Sequence, residues 1–185
     1  YLVNKDVVGV TGRRQSFLEE IKKQYPSLVH IASFDVTGQE NIDRLKTLIS
    51  EMKGMDLLIY NAGFGDTSTH LDAEIEIKTT QTNVSGFVEI MAFAFNYFAE
   101  KGNGQIAVIS SLASLRGNSW APAYSASKAF MSTYAEGLNL KARRLKKDII
   151  ITDIKPGFLG TKPSKGNKRF WVAPPLKAAV QIKSA

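Results

Sequence analysis

Apolar positions along this 185-residue chain fall into two alternating patterns. Short runs rich in β-branched residues occupy Val7–Thr11, Leu28–Phe34, Asp56–Tyr60, Gln105–Ser110 and Ile149–Ile154. Gly, Pro, Asp or Asn bounds these runs, which predicts strands. Their near-continuous apolar character suits strands covered on both faces. Longer segments with helical spacing lie between them. Ser16–Tyr25 carries Phe17, Leu18 and Ile21, with Ser16 as the predicted N-cap. Gln39–Met52 places Ile42, Leu45, Leu48, Ile49 and Met52 on one stripe. Thr80–Lys101 and Ala123–Lys146 are predicted as two long helices. Strand alternating with helix predicts a doubly wound parallel α/β sheet with right-handed crossovers, in three layers (α/β/α). No repeat, linker or low-complexity stretch interrupts the pattern, so one domain is expected over residues 1–185.

In such sheets ligands bind beyond the carboxyl ends of the strands. The loops there read Gly12-Arg13-Arg14, Asp35-Val36-Thr37, Asn61-Ala62-Gly63-Phe64-Gly65, Ser110-Ser111 with Ser114, and Pro156-Gly157-Phe158. All five ends are expected to converge on one crevice.

Composition narrows the function classes. With 44% hydrophobic and 22% charged residues, disorder is excluded. The chain has no cysteine, which excludes disulfides and thiolate metal sites and fits the reducing cytosol, so a cytoplasmic location is expected. His30 and His70 are isolated, without metal-ligand spacing, and no metal is expected. The longest apolar stretch, Gly86–Ala99, is interrupted by Glu89 and Asn96 and is too short to span a bilayer. Nothing reads as a signal peptide. The net charge is +7, with basic clusters at Lys141–Lys147 and Lys162–Arg169. These read as a solvated helix end and a solvated loop. Neither carries the interleaved aromatics that stack bases, so neither nucleic acid nor membrane is an expected partner.

Tyr124 and Lys128 are four residues apart in a predicted helix and share one face. A free tyrosine hydroxyl, with a pKa near 10, is a poor acid or base at neutral pH. A neighbouring ammonium stabilises the phenolate and lowers that pKa by about 1–3 units. The pair can then exchange a proton at a carbonyl or alcohol oxygen. Ser111 lies thirteen positions before Tyr124, at a predicted strand end, where it can bond the substrate oxygen. Ser110 and Ser114 are rivals for that role.

Taken together and in order, these motifs resemble the short-chain dehydrogenase/reductase family, which has a Rossmann-like fold. Asp35-Val36 resembles the family's adenine-contacting pair, and Asn61-Ala62-Gly63 its Asn-Ala-Gly loop. Asn83 matches a helix asparagine that supports a proton-relay water. Ser111, Tyr124-Ser125-Ala126-Ser127-Lys128 and Pro156-Gly157 complete the set, and Thr161 resembles a downstream threonine that contacts the carboxamide. The resemblance implies a catalytic set of Asn83, Ser111, Tyr124 and Lys128. Tyr124 would be the general acid/base, Lys128 would lower its pKa and hold the nicotinamide ribose, and Ser111 would orient the substrate oxygen. Gly12, Arg13, Arg14, Tyr124 and the matched loop residues would bind the cofactor, which carries the hydride chemistry.

Cofactor choice follows from Thr11-Gly12-Arg13-Arg14. An acidic residue after the second family strand would bond a ribose 2′-hydroxyl and select NAD. Guanidinium forks instead match phosphate, so NADP(H) is expected, with Arg13 the phosphate partner and Arg14 the better candidate for a helix cap. The implied substrate is a small carbonyl or alcohol. A pocket of Leu112, Leu115, Trp120 and residues Phe158 to Trp171 would be partly apolar; for Phe170 and Trp171 the resemblance implies a substrate lid, with a core anchor as the alternative.

The chain departs from the family at both ends. The family's Thr-Gly-x-x-x-Gly-x-Gly turn, which cradles a pyrophosphate, is absent. Tyr1–Lys5 resembles the tail of the helix after that turn, and Lys177–Ala185 the start of a late helix without its following strand. The expectation is a truncated chain in which strands flanking the absent first one are left unpaired. An extended-type epimerase or dehydratase is a rival disfavoured by Asn-Ala-Gly. A non-catalytic NADP(H)-binding or scaffold protein is the alternative that the absent turn favours. Lastly, the helix from Val84 to Phe98 is apolar nearly all round, and the helix bearing Tyr124 is similar. In the family these helices pair with their copies, so a homodimer or homotetramer is expected, held by Phe95 if that residue faces outward.

Overall fold

The computed structural model describes residues 6–158 and 172–184. Chain order is β1 (Val8–Gly12), α1 (Gln15–Gln24), β2 (Val29–Ser33), α2 (Asn41–Glu51), β3 (Leu57–Tyr60), α3 (Ala73–Thr80), α4 (Gly86–Lys101), β4 (Asn103–Ile109), α5 (Pro122–Arg144), β5 (Asp148–Ile154) and α6 (Pro175–Ser184). A π turn (Gln81–Ser85) joins α3 to α4, and a 3₁₀ turn (Leu112–Leu115) follows β4. All five strand regions expected from the sequence are strands, shifted by at most two residues at either end. Each described strand pairing is parallel. The fold is α/β and Rossmann-like.

The sheet is not continuous. β1 pairs only with β2, in the register Val8↔Val29 to Gly12↔Ser33, while β3, β4 and β5 form a separate sheet in that order. A cleft of about 990 Å³ separates β1 from β3, with Val8, Gly9 and Thr11 on one wall and Leu57, Leu58, Ile59 and Tyr60 on the other. No described strand lies in it, so the facing edges keep their backbone groups unpaired with one another.

The expected helix over Thr80–Lys101 is a π turn followed by α4, and α3 precedes it as a helix that the apolar pattern did not announce. Asp72 takes the N-cap position and accepts a hydrogen bond from Glu74 N at 2.9 Å, with Glu74 and Glu76 in the first turn. Ser16, in contrast, is not an N-cap. α1 begins at Gln15, and Arg14 occupies the cap without a side-chain bond. Its guanidinium lies 4.3 Å from the centre of the Phe17 ring, and Gln15 bonds Glu19 within the first turn at 3.0 Å.

The apolar surplus of α4 is core. Phe87, Ile90, Met91, Ala94, Phe95 and Phe98 are buried among Ile106 and Val108 of β4 and Met131, Ala135 and Leu138 of α5. Phe95 is 2% exposed, so it does not face outward and cannot hold an interface. Only Ser85, Glu89, Ala92, Asn96 and Glu100 form an exposed stripe on this segment. Aromatic edges pin α4 to its neighbours, with Phe87 meeting Tyr60 at 5.1 Å and Tyr134 at 5.5 Å. No described helix is long and apolar enough to cross a membrane.

One glycine in this core has no room for a side chain. A Cβ on Gly104 would come within 2.1 Å of the Phe98 ring, which is fully buried. Gly104→Ala is therefore expected to destabilise the protein by about 1–3 kcal/mol, read as a lower urea midpoint. An unchanged midpoint would show that Phe98 has somewhere to go.

Candidate active site

The carboxyl ends of β3, β4 and β5 meet the first turns of α5. Pro122 opens α5 at its first positions, where its missing N–H costs nothing. The next free donor, Ala123 N, bonds Glu76 Oε2 of α3 at 2.8 Å. A carboxylate at that helix start is favourable and fixes the backbone beside Tyr124.

Lys128 lies one turn further on and is only 4% exposed. Its ammonium donates to the Ile109 carbonyl at the end of β4 at 2.8 Å, and Nζ is 5.8 Å from the centre of the Tyr124 ring. Burial lowers the Lys128 pKa to about 8, and the Asp153 carboxylate opposes that fall. The helix spacing thus puts a cation beside Tyr124, and the fold removes it from water.

The Asn61–Gly65 loop closes over this pair. Asn83, in the π turn, is fully buried. Its side-chain amide donates to Phe64 O at 2.7 Å and Ser127 Oγ at 2.9 Å, while Oδ1 accepts from Phe64 N at 2.8 Å. Those bonds use both amide donors. The side chain therefore clamps the loop to α5. Gly63 lies inside the clamp, where a Cβ would be 3.4 Å from Lys128 Nζ and 3.5 Å from Asn83 Oδ1. Gly65 packs on the Tyr124 ring, and a Cβ there would come within 2.3 Å of it. Gly65→Ala is expected to push the ring aside and lower turnover by about 10²-fold, the usual effect of a misplacement near 1 Å. Circular dichroism and melting temperature would remain near wild type. Unimpaired turnover in Gly65→Ala would show that the ring position is not limiting.

The three serines after β4 separate by environment. Ser110 is buried and its hydroxyl bonds Asp153 and, at 3.2 Å, the Ile154 carbonyl. Ser111 is half-buried and caps the 3₁₀ turn, accepting from Ala113 N at 3.1 Å. That bond uses one acceptor site of a hydroxyl that also has a proton and a second lone pair. Ser114 Oγ is buried without a hydrogen-bond partner among the described residues. Pro156 O accepts from Leu112 N at 3.0 Å, which joins the Pro156-Gly157 segment to this turn. Leu112, Leu115, Trp120 and Phe158 are exposed here. Thr161, Lys162–Arg169, Phe170 and Trp171 lie outside the described residues.

The expected cofactor loops border the inter-sheet cleft. Thr11, Phe34, Val36, Asn61 and Ala62 line its carboxyl end, whereas Ser111, Tyr124 and Lys128 do not line it. Gly12 ends β1. Arg13 reaches across to Asp35 at 3.6 Å and its side chain is 65% exposed. Bonding from the Thr37 backbone holds the Asp35 carboxyl below its ordinary range against a burial cost, and Arg13 adds to that effect. Arg14 points to Phe17 instead.

Glu76 and Asp153 escaped the sequence reading, which named Gly65 only as part of its loop. A signal existed for Asp153, since it is an ionisable residue inside an otherwise apolar strand run. Glu76 and Gly65 gain significance only from what folds against them.

Comparison with known proteins matches residues 3–169 to the short chain dehydrogenase family model. An uncharacterized oxidoreductase of Myxococcus xanthus is 32% identical over 166 residues, covering 86% of this chain and 65% of that protein. The NADP-dependent 3-hydroxy acid dehydrogenase of Escherichia coli is 33% identical over 155 residues, covering 81% and 61%. The chain thus spans less than two thirds of the length of these relatives. The crystal structure of serine dehydrogenase from Escherichia coli superposes with a TM-score of 0.76 at 30% identity, covering 86% of this chain and 74% of that one. With a family match over nearly its whole length, on a parallel α/β scaffold whose strand ends carry the expected loops, this chain belongs to the short chain dehydrogenase family of oxidoreductases.

Proposed function

We propose that this chain belongs to an NADP(H)-dependent oxidoreductase that interconverts a small-molecule carbonyl and an alcohol, with Tyr124, Lys128 and Ser111 handling the proton. The observation that carries this reading is the buried Lys128 ammonium held one helical turn from Tyr124 beneath the Asn61–Gly65 loop. Desolvating an ammonium is costly, and its carbonyl partner at 2.8 Å fixes it where it can stabilise a phenolate. Ser111 would hold the substrate oxygen, and Tyr124 would give it a proton in reduction or take one in oxidation. Asn83 keeps the loop over the pair.

The residues present fit the adenine, 2′-phosphate and nicotinamide parts of the cofactor, and the glycine turn for its pyrophosphate is not among them. Arg13 offers an exposed guanidinium just beyond the end of β1, Asp35-Val36 would face the adenine, Asn61-Ala62-Gly63 would border the dinucleotide, and Lys128 would reach the nicotinamide ribose. When bound, the cofactor supplies the hydride that the protein cannot. The NADP dependence in the name of the Escherichia coli relative supports the same choice. Turnover of a panel of hydroxy acids and ketones with NADPH or NADP⁺, followed at 340 nm, tests the reading. Binding of NADPH with no turnover of any substrate would favour the non-catalytic alternative.

Arg13→Ala is expected to weaken NADPH binding about ten- to a hundredfold, the loss of a charge-assisted bond worth about 1.5–3 kcal/mol. NADH binding would change little. Because Arg13 already pairs with Asp35, the lower end of that range is expected. Equal losses for both cofactors in titration calorimetry would show that Arg13 does not read the phosphate.

The proposed homodimer moves to a different surface. On α5, Ala126, Phe130, Thr133, Gly137 and Leu140 form one exposed, largely apolar stripe. Among the described residues, nothing beyond its own helix backbone and chain neighbours lies within 4 Å of a Cβ placed on Gly137, which suits close approach by a second copy. Phe130→Glu, rather than a change at Phe95, is expected to lower the mass in sedimentation.

A further inference from the structure

Asp153 lies near the end of β5, and its side chain is only 16% exposed. Three side chains donate to its carboxylate. Ser110 Oγ bonds Oδ1, Ser132 Oγ bonds Oδ2 at 2.6 Å, and Lys155 Nζ bonds Oδ2. Each donor comes from a different part of the site. Ser110 immediately precedes Ser111 after β4. Ser132 lies one turn beyond Lys128 on α5. Lys155 immediately precedes Pro156-Gly157 after β5.

We propose that Asp153 is a positioning residue of this site, whose single carboxylate ties the ends of β4 and β5 to α5 and places a fixed negative charge at Ser132, one turn of α5 from Lys128. The proposal rests on the oxidoreductase reading of Tyr124, Lys128 and Ser111, to which it adds a fourth, indirectly acting group.

A buried carboxylate is a costly way to join three elements, since apolar packing of similar volume often does as well. What apolar packing cannot supply is charge. Lys128 is otherwise bonded to a carbonyl and a thioether sulfur, which are neutral. The charged groups around Asp153 are Lys155, bonded directly, and Lys128, on which its field acts. Burial works against the Asp153 anion, and the bonds from Lys155, Ser110 and Ser132 outweigh it, so the carboxyl stays below its ordinary range. The charge is therefore present at neutral pH. Its effect is to keep Lys128 protonated although it is buried.

The test separates charge from tether. Asp153→Asn keeps the shape and removes the charge. Ser110→Ala keeps the charge and cuts the tie to β4. In the unmodified full chain, the Lys128 amine is followed by lysine side-chain nitrogen NMR against pH, its signal identified by its loss in Lys128→Met. Asp153→Asn is expected to lower the Lys128 pKa by about half a unit to one unit and to move the alkaline limb of the pH–rate profile down equally. Turnover at pH 9 would fall about three- to tenfold, and at pH 7 by no more than about twofold. Ser110→Ala is expected to leave the Lys128 pKa unchanged and to reduce kcat severalfold with little change in KM. An unshifted Lys128 signal in Asp153→Asn overturns the proposal, as does wild-type turnover in both variants. If Asp153→Asn does not fold, Lys155→Met is expected to raise the Lys128 pKa by removing a competing cation, and no change would overturn the proposal. A shifted Lys128 signal in a protein that turns over no substrate would refute the oxidoreductase reading while leaving the coupling intact.

Discussion

Replacing Tyr124 with phenylalanine is expected to lower kcat by about 10²–10⁴-fold, the usual contribution of a positioned acid or base, with NADPH affinity nearly unchanged. The substitution removes one oxygen. The ring remains packed against Gly65 and within 5.8 Å of the Lys128 ammonium, so the loop and the buried lysine keep their places. The clamp formed by Asn83 involves Phe64 and Ser127 and no atom of the Tyr124 ring. Steady-state rates at saturating cofactor, with NADPH dissociation measured by fluorescence, check both parts. Turnover within threefold of wild type would remove Tyr124 from the proton transfer.

Lys128→Met is expected to have an effect of similar size on turnover and the opposite sign on stability. Methionine fills much the same buried volume and carries no charge. Without the ammonium, nothing stabilises a Tyr124 phenolate, and the implied ribose contact is lost too, so kcat and cofactor affinity would both fall. The folded protein meanwhile sheds a desolvation cost. A lysine pKa lowered to about 8 means that the charged form costs the native state about 3 kcal/mol. Loss of the bond to Ile109 O returns about 1 kcal/mol of that. A net stabilisation of about 2 kcal/mol at pH 7 is expected. The sign of its pH dependence follows from the direction of the shift. Between about pH 8 and the unfolded lysine value of 10.5, the native state binds fewer protons than the unfolded one. Wild-type stability therefore rises with pH across that window, and the advantage of Lys128→Met shrinks. Urea midpoints at pH 7 and pH 10 measure this. A variant less stable than wild type at pH 7 would show that Lys128 is not under electrostatic strain.

The same titration bounds activity. As Lys128 loses its proton above about pH 8, Tyr124 loses the cation that favours its anion. Carbonyl reduction by the wild-type protein is expected to decline on that side, approaching tenfold per pH unit.

The sequence by itself determined the repeating units and the order of the loops. Strand runs such as Ile149–Ile154 are too short and too β-branched to be helices, and a parallel sheet sends every such run to the same edge. Tyr124 and Lys128 face together wherever α5 sits, because helical spacing is local.

What the chain pattern could not decide was which apolar faces become interior. α4 is apolar nearly all round, which fits either a subunit contact or a core. Only packing against β4 and α5 shows that Phe95 belongs to the core and that the exposed apolar stripe lies at Phe130 and Gly137 on α5. Pairing partners are similarly non-local. β1 and β3 each read as buried strands; that they lack a shared neighbour was expected from the family resemblance and not from the runs themselves, and the structure leaves a cleft between them. The chemistry of the site is decided at the same level. Four-residue spacing brings Lys128 near Tyr124, but its lowered pKa comes from burial under the Asn61–Gly65 loop. The carboxylate that counters that burial is 25 residues further along the chain. Burial and charge act through space, so the residues that set them, Asp153, Gly65 and Asn83 among them, take their roles only when the chain has folded around Lys128.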